Sequence, residues 1–169
     1  MGTESFFIEC ISEDSHVEHR LEVKTYFGSE SKTEADFLLF LKLNGYKTKK
    51  ARLSRGRYII NRELILDVLS SGTYFQGFIL EGCFSDYKKN IALAFGIIQS
   101  IDSDFMPLCL KRPDGVYVRA TQENADLCKN YIDQRHMIFQ KNYPCSFKSL
   151  PGREFFRKYR LRQLFKKNL

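Results

Sequence analysis

The sequence predicts one α+β domain over residues 1–169, mainly an antiparallel sheet with helices packed on one face. Short apolar segments separated by turn residues predict hairpins, and hairpins favour antiparallel pairing. A strand, a turn and a helix follow one another over residues 73–101, where the local pattern is strongest. A length of 169 residues suits one domain, and 43% apolar with 28% charged residues is typical of globular proteins.

The first elements are a predicted hairpin and a helix. Residues 6–11 form a short predicted strand and residues 16–27 a longer alternating one, with the turn residues Ser12-Glu-Asp-Ser15 between them. Thr33 followed by acidic residues is typical of a helix N-terminus. Gly45 stands where a left-handed C-terminal cap belongs, so a helix is expected between these two residues.

The central segment predicts further strands. Residues 57–60 are expected to be extended, while residues 64–69 are compatible with a strand or a short helical turn because the apolar run is brief. Residues 73–84 form a predicted strand that contains Gly77 and Gly82. Glycine inside a strand indicates a bulge or a close approach of two backbones.

The next helix, over residues 87–101, is predicted from a single apolar stripe. Ser85 can cap it, and Asp86 favours its positive end. The stripe recurs at spacings of three and four residues and should face the core. It consists of Tyr87, Ile91, Ala94, Phe95, Ile98 and Ile101.

The C-terminal third predicts a hairpin and two helices. Residues 106–111 and 115–120 are predicted strands joined by Arg112-Pro-Asp-Gly115, in which Pro fixes φ and Gly accepts positive φ. Thr121 can cap a helix that runs to about residue 141, and a last helix is expected from Pro151. Candidate core residues of these two helices are Ala125, Cys128, Tyr131, Ile132, Phe139, Phe155, Phe156, Tyr159, Leu161, Leu164 and Phe165.

The sequence contains no convincing catalytic or metal-binding set. His16 and His19 would point to opposite faces of a strand, and His136 is expected at the surface beside Arg135. The cysteines are odd in number and lack a Cys-x-x-Cys pair, so reduced packing residues are expected and neither a metal nor a cofactor is predicted. They are Cys10, Cys83, Cys109, Cys128 and Cys145.

A magnesium-dependent nuclease is a weaker alternative. Asp67, Glu81 and Asp86 stand near predicted strand ends, where carboxylates could hold a metal ion. The lysine that would support such a site at close strand spacing is missing. Glu81 is more readily interpreted as a paired or hydrogen-bonded carboxylate.

The net charge of +7 is concentrated in two runs. Residues 47–57 carry six basic residues in eleven, and residues 153–167 carry seven against one acid. Such runs fit an acidic protein face, nucleic acid or a membrane surface, although a solvated loop and helix face explain them equally. The candidate partner-binding residues are Lys47, Lys49, Lys50, Arg52, Arg55 and Arg57.

Two segments carry a resemblance that covers the chain from Gly77 onward. They are Phe78-Ile-Leu-Glu-Gly-Cys-Phe-Ser-Asp-Tyr87 and the ending Phe155-Phe156-Arg-Lys-Tyr159. They resemble immunity proteins of bacterial polymorphic-toxin and contact-dependent inhibition systems. The resemblance implies a binding protein, not an enzyme, that neutralises a cognate toxin domain by stoichiometric contact. The basic charge departs from the acidic immunity proteins that mimic nucleic acid, and so argues against such mimicry.

Two further expectations concern partners and location. A basic nucleic-acid-binding protein is the main alternative, with weak and nonspecific affinity because no base-reading motif is present. No window reaches the 18 or so apolar residues of a membrane span, and the N-terminus lacks the pattern of a signal peptide. Cytoplasmic location without membrane insertion is therefore expected.

Overall fold

The computed structural model describes residues 5–14, 32–51, 56–84 and 87–142. These residues form a sheet of seven antiparallel strands in the order β2-β3-β4-β5-β1-β6-β7, together with three helices. The α+β fold with a mainly antiparallel sheet is thus confirmed. The strands are β1 (Ser5–Ser12), β2 (Thr48–Lys50), β3 (Arg57–Ile60), β4 (Leu64–Ser71), β5 (Tyr74–Cys83), β6 (Leu108–Lys111) and β7 (Tyr117–Arg119), and the helices are α1 (Glu34–Leu43), α2 (Tyr87–Asp104) and α3 (Gln122–Asn142).

Helix α1 begins and ends as the sequence predicts. The amide of Asp36 donates to the Thr33 hydroxyl at 3.2 Å, and the Thr33 amide donates back to the Asp36 carboxylate at 2.9 Å. This reciprocal capping box satisfies two helix-terminal donors. Gly45 follows the helix with φ +79°, the left-handed conformation that glycine adopts at least cost.

The hydrophobic core lies between the three helices and one face of the sheet. The strand residues that alternate toward the helices are fully or almost fully buried, and the apolar stripes of the helices pack against them. The sheet contributes Phe6, Ile8, Cys10, Tyr58, Ile60, Leu64, Leu66, Phe75, Phe78, Leu80, Leu108 and Leu110, while the helices contribute Phe37, Leu41, Tyr87, Ile91, Ala94, Ile97, Ile98, Ile101, Cys128, Ile132 and Phe139. The opposite side of the sheet is called the second face below.

Several local predictions are confirmed. Residues 64–69 belong to strand β4, and the Gly115 amide donates to the Arg112 carbonyl at 2.9 Å in the predicted turn. Gly77 marks a close backbone approach, because a Cβ there would overlap the carbonyl oxygen of Cys10 on β1. The predicted strand over 16–27, the Ser85 cap with Asp86 and the helix from Pro151 lie outside the described residues. The hairpin predicted to join residues 6–11 to that strand is wrong, because the end of β1 pairs with β5 on one side and with β6 on the other.

Three predicted helix positions differ from the structure. Phe95 is only half-buried, whereas Ile97, absent from the predicted stripe, is fully buried. Phe95 lies roughly 90° around α2 from the centre of the buried stripe, at about 100° per residue. Tyr131 on α3 is off its stripe in the same way and is 42% exposed. His136 is half-buried, not at the surface as predicted, because its ring stacks on Tyr87 with centroids 4.1 Å apart.

Candidate functional site

Strand β2 carries the described part of the first basic run. Lys47 precedes the strand and Lys49 and Lys50 lie within it, all with exposed side chains. Lys49 is opposite Ile59 and Lys50 is opposite Tyr58, so successive lysines point to opposite faces of the sheet. Within the described residues none of the three forms an ion pair.

The turn between β3 and β4 brings a further cation to the same end of the sheet. The Lys47 amide donates to the side-chain carbonyl of Asn61 at 2.8 Å, and the Asn61 amide donates to the Lys47 carbonyl at 2.9 Å. These bonds hold Lys47 beside the exposed residue Arg62. We call Lys47, Lys49, Lys50 and Arg62 the basic edge.

The backbone of this turn is unusual. Asn61 and Arg62 have φ of +48° and +65°, and the Glu63 amide donates to the Ile60 carbonyl at 2.9 Å. Two consecutive positive φ values are typical of the mirror-image β-turn, which here lies in a loop of three residues between Ile60 and Leu64. Asn is common in its first position, but the second normally holds Gly. The sequence does not predict Arg62 as a contact residue, because only Asn61, between two predicted strand segments, indicates the turn.

Arg57 is placed differently from the other predicted contact residues. Its guanidinium is half-buried and donates through both Nε and Nη2 to the carboxylate of Asp67, the second bond at 2.5 Å. These bonds to Asp67 raise the pKa of Arg57. Arg57 therefore serves the sheet and does not belong to the basic edge, while Arg52 and Arg55 lie outside the described residues.

The candidate nuclease carboxylates also have structural surroundings. Asp67 is engaged by Arg57, and Glu81 accepts a hydrogen bond from Ser5. Burial raises the pKa of Glu81, although the neighbouring Arg57 opposes that shift. Among the described residues no group of three or more His, Cys, Asp or Glu side chains is placed to hold a metal ion. Asp86 lies outside them.

The cysteines and the one described histidine are packing residues. The four cysteines that the structure describes, Cys10, Cys83, Cys109 and Cys128, are buried thiols, in agreement with the sequence, and Cys145 lies outside the described ranges. Burial raises the pKa of Cys10 well above its ordinary value, which disfavours the reactive thiolate. His136 packs against the rings of Tyr87 and Phe84.

A groove of about 580 Å³ lies between α2 and the start of α3. Phe95, Gly96 and Lys129 are among the residues that line it. Of its two carboxylates, Asp102 accepts from the Leu108 amide at 2.8 Å and also binds Arg119, and Asp126 accepts from the Gln122 side-chain amide at 3.0 Å. Both acids of the groove are therefore engaged by residues of the fold.

In the part of the chain that the structure describes, no helix combines the length and the apolar character that crossing a bilayer requires.

Comparison with known proteins also gave no match. No protein-family model, no curated protein and no solved structure matches this chain. Inferences about function therefore depend on the residues and their geometry.

Proposed function

We propose that this protein is a cytoplasmic immunity-type inhibitor that binds a cognate toxin domain one to one and has no turnover of its own. The observation that carries the proposal is the basic edge. Its four exposed cations lie at one edge of the sheet and have no carboxylate partner among the described residues, whereas five cations elsewhere in the fold do. Arg57, Lys89, Lys111, Arg112 and Arg119 each pair with an Asp or Glu.

Cations that the fold leaves without partners suit a binding surface. Like charges held close together repel each other, and an acidic partner removes this repulsion on binding. A positive patch also steers an acidic partner during diffusion and so raises the association rate. Rapid capture is what protection from a toxin requires. The buried cysteine thiols, and the carboxylates Asp67 and Glu81 that are already hydrogen-bonded, do not support an enzymatic role for these residues.

Nucleic acid is the rival partner, because the same cations could neutralise phosphates. Four cations would contact about four phosphates, so the logarithm of affinity would change with the logarithm of salt by a slope of roughly −3.6 at most. Affinity of this kind is nonspecific, because phosphate contacts carry no sequence information. Gel-shift measurements with duplex DNA and with RNA at physiological salt would reveal it.

The direct test is co-expression with a toxin domain. The probe is the variable C-terminal domain of a large secreted protein encoded immediately upstream, if the gene neighbourhood contains one. We expect cells that express the domain alone to die and cells that also express this protein to grow. Equal killing in both cultures, with the protein folded and abundant, would show that the immunity proposal is wrong.

A matched pair of charge variants tests the role of the basic edge. The edge variant combines Lys47→Glu, Lys49→Glu and Lys50→Glu, and the control reverses the exposed cations Lys129, Arg135 and Lys141 of α3 to Glu. Both variants change the net charge by the same amount. We expect slower association with the toxin domain for the edge variant only. Equal slowing in both would mean that net charge alone guides the encounter.

A further inference from the structure

We propose that the β2 edge of the sheet receives an extended, acidic segment of the partner as an added antiparallel or parallel strand. This inference rests on the proposed function and specifies how the partner is held. The observations that support it are the hydrogen-bonding pattern of β2, the contrast with the other sheet edge and the placement of the lysines.

The first observation is the direction of the β2 backbone groups. The Asn61 amide donates to the Lys47 carbonyl, and the Ala51 amide donates to the Arg57 carbonyl at 2.9 Å. In an antiparallel pair the bonded residues alternate, so Lys49 also bonds across to β3 while Thr48 and Lys50 do not. The N–H and C=O groups of Thr48 and Lys50 therefore point away from the sheet.

Among the described residues, no hydrogen bond reaches the outward backbone groups of Thr48 or Lys50, so an added strand could pair with them. Each residue offers one donor and one acceptor, so an added strand could form up to about four main-chain hydrogen bonds. This is the arrangement that strand addition uses for affinity, with side chains supplying specificity.

The opposite edge of the described sheet differs. There the carbonyl of Arg119 on β7 accepts from the Thr121 amide at 2.7 Å and from the Asn124 side chain at 2.9 Å. The Ala120 amide donates to the carbonyl oxygen of Leu108 on β6 at 2.8 Å. The start of α3 thus satisfies part of that edge. The comparison favours β2 as the receiving edge.

The lysines specify the charge of the incoming segment. Lys49 projects on the second face and Lys50 on the helix-covered face, so acidic residues at successive positions of an added strand could each face a lysine. Arg62 and Lys47 lie at the end of this edge and extend the positive field. An acidic strand fits this edge on both of its faces.

Protein fits this site better than nucleic acid does. Outward amide and carbonyl groups find their complement in another peptide backbone, whereas phosphates can only accept hydrogen bonds. An alternative role for the lysines is to prevent edge-to-edge aggregation, as charged residues on short edge strands commonly do. Hydrogen exchange of the complex distinguishes this role from strand addition.

Amide hydrogen exchange of the free protein and of its complex with the toxin domain tests the inference. In the free protein we expect the amides of Thr48 and Lys50 to exchange rapidly and that of Lys49 to be protected by β3. In the complex all three should be protected. Rapid exchange at both outward amides in a saturated complex would overturn the inference and leave the lysines as a device against aggregation.

Proline scanning gives an independent test. Lys50→Pro removes an N–H that points outward, and Lys50→Gln removes the same charge but keeps the N–H, so the pair isolates the main-chain bond. We expect Lys50→Pro to bind the toxin domain roughly fivefold more weakly than Lys50→Gln. Thr48→Pro serves the same purpose, compared with Thr48→Ala, if Lys50→Pro fails to fold. Equal affinity within the chosen pair would contradict strand addition.

The outcomes separate this inference from the proposed function. If the wild type protects cells but Thr48 and Lys50 stay unprotected in the complex, the immunity function stands and strand addition is wrong. If the wild type fails to protect cells, the proposed function itself is wrong. Tighter binding of a 12-nucleotide RNA than of the toxin domain, or dimerisation of the protein through β2 in light scattering, would also overturn the inference.

Discussion

Arg62 is the residue whose backbone most clearly departs from ordinary preference. A left-handed conformation costs L-residues other than Gly, Asn and Asp roughly 1–2 kcal/mol, and Arg62 adopts it at φ +65°. Backbone strain of this kind persists where the surrounding structure enforces it, and it is concentrated at functional sites. At this turn the strain coincides with the basic edge, and an arginine stands where glycine would adopt the same backbone conformation at less cost.

Arg62→Gly should therefore stabilise the protein while it weakens the basic edge. We expect the free energy of unfolding to rise by about 1 kcal/mol, which corresponds to a thermal midpoint higher by about 3 °C. Arg62→Ala is the control, because it removes the same side chain but keeps the Cβ. Thermal unfolding of both variants provides the measurement. A gain of equal size in Arg62→Ala would mean that the side chain, and not the backbone, is the source of the strain.

The basic run shows what a sequence can and cannot predict at the scale of residues. The lysines of β2 were predicted as exposed contact candidates from charge density alone, and the described ones are exposed. Arg57 belongs to the same run but binds Asp67 on the adjacent strand. That pairing depends on strand register, which a local charge count does not contain. Arg62 was missed for the same reason, because the turn brings it to Lys47.

The helices show how spacing determines burial at the scale of elements. The predicted stripe of α2 placed five residues correctly in the core, because a period of 3.6 residues is a direct consequence of helix geometry. The predicted stripe also contains Phe95, which lies roughly 90° from its centre, and lacks Ile97, which completes it. The order of the strands was not predicted, since local alternation does not encode which strands become neighbours.

Alanine substitutions in α2 distinguish the two positions. Ile97→Ala should cost about 2–5 kcal/mol of unfolding free energy, because the residue is fully buried and leaves a cavity. Phe95→Ala should cost less than Ile97→Ala, because Phe95 lines the groove beside α3 and is half-buried. Urea unfolding measures both. A larger loss for Phe95→Ala would place that residue in the core after all.

The contact between α2 and α3 should depend on pH through His136. Burial lowers the pKa of His136 below its ordinary value of 6.5, although the nearby Asp133 opposes this shift. The unfolded state then binds more protons just below pH 6.5, so the contribution to stability is present above that pH and is lost as the pH falls. We expect the wild type to lose more stability than His136→Phe between pH 7.5 and 5.5.

The variant comparison is needed because other groups titrate as well. Burial raises the pKa of Glu81, so the contribution of Glu81 to stability is lost as the pH rises above its ordinary value of 4.5. This direction is opposite to that of His136. Both proteins share this effect, so it cancels in the difference. Identical pH profiles of the two proteins in denaturant titrations would contradict a buried, neutral His136.

For the whole molecule, the helices cover one face of the sheet and the basic edge lies at one end of the strand order, away from that core. Burial of an apolar core on one side stabilises the fold, while the outward backbone groups of β2 have no partner among the described residues. This division predicts that edge variants change binding without unfolding the protein. The fold class was predictable from the sequence because turns and periodicities are local, whereas the edge became visible only from strand order.

One-to-one binding between this protein and the toxin domain can be measured by calorimetric titration. We predict a single transition at a molar ratio of one, with the lethal activity of the toxin domain lost at the same ratio. The affinity should fall as salt is raised, because charges of the basic edge contribute to the complex. Two results would contradict one-to-one inhibition. One is complete loss of lethal activity at a small fraction of the equimolar amount, which would reveal turnover. The other is the absence of any heat of binding although both proteins are folded.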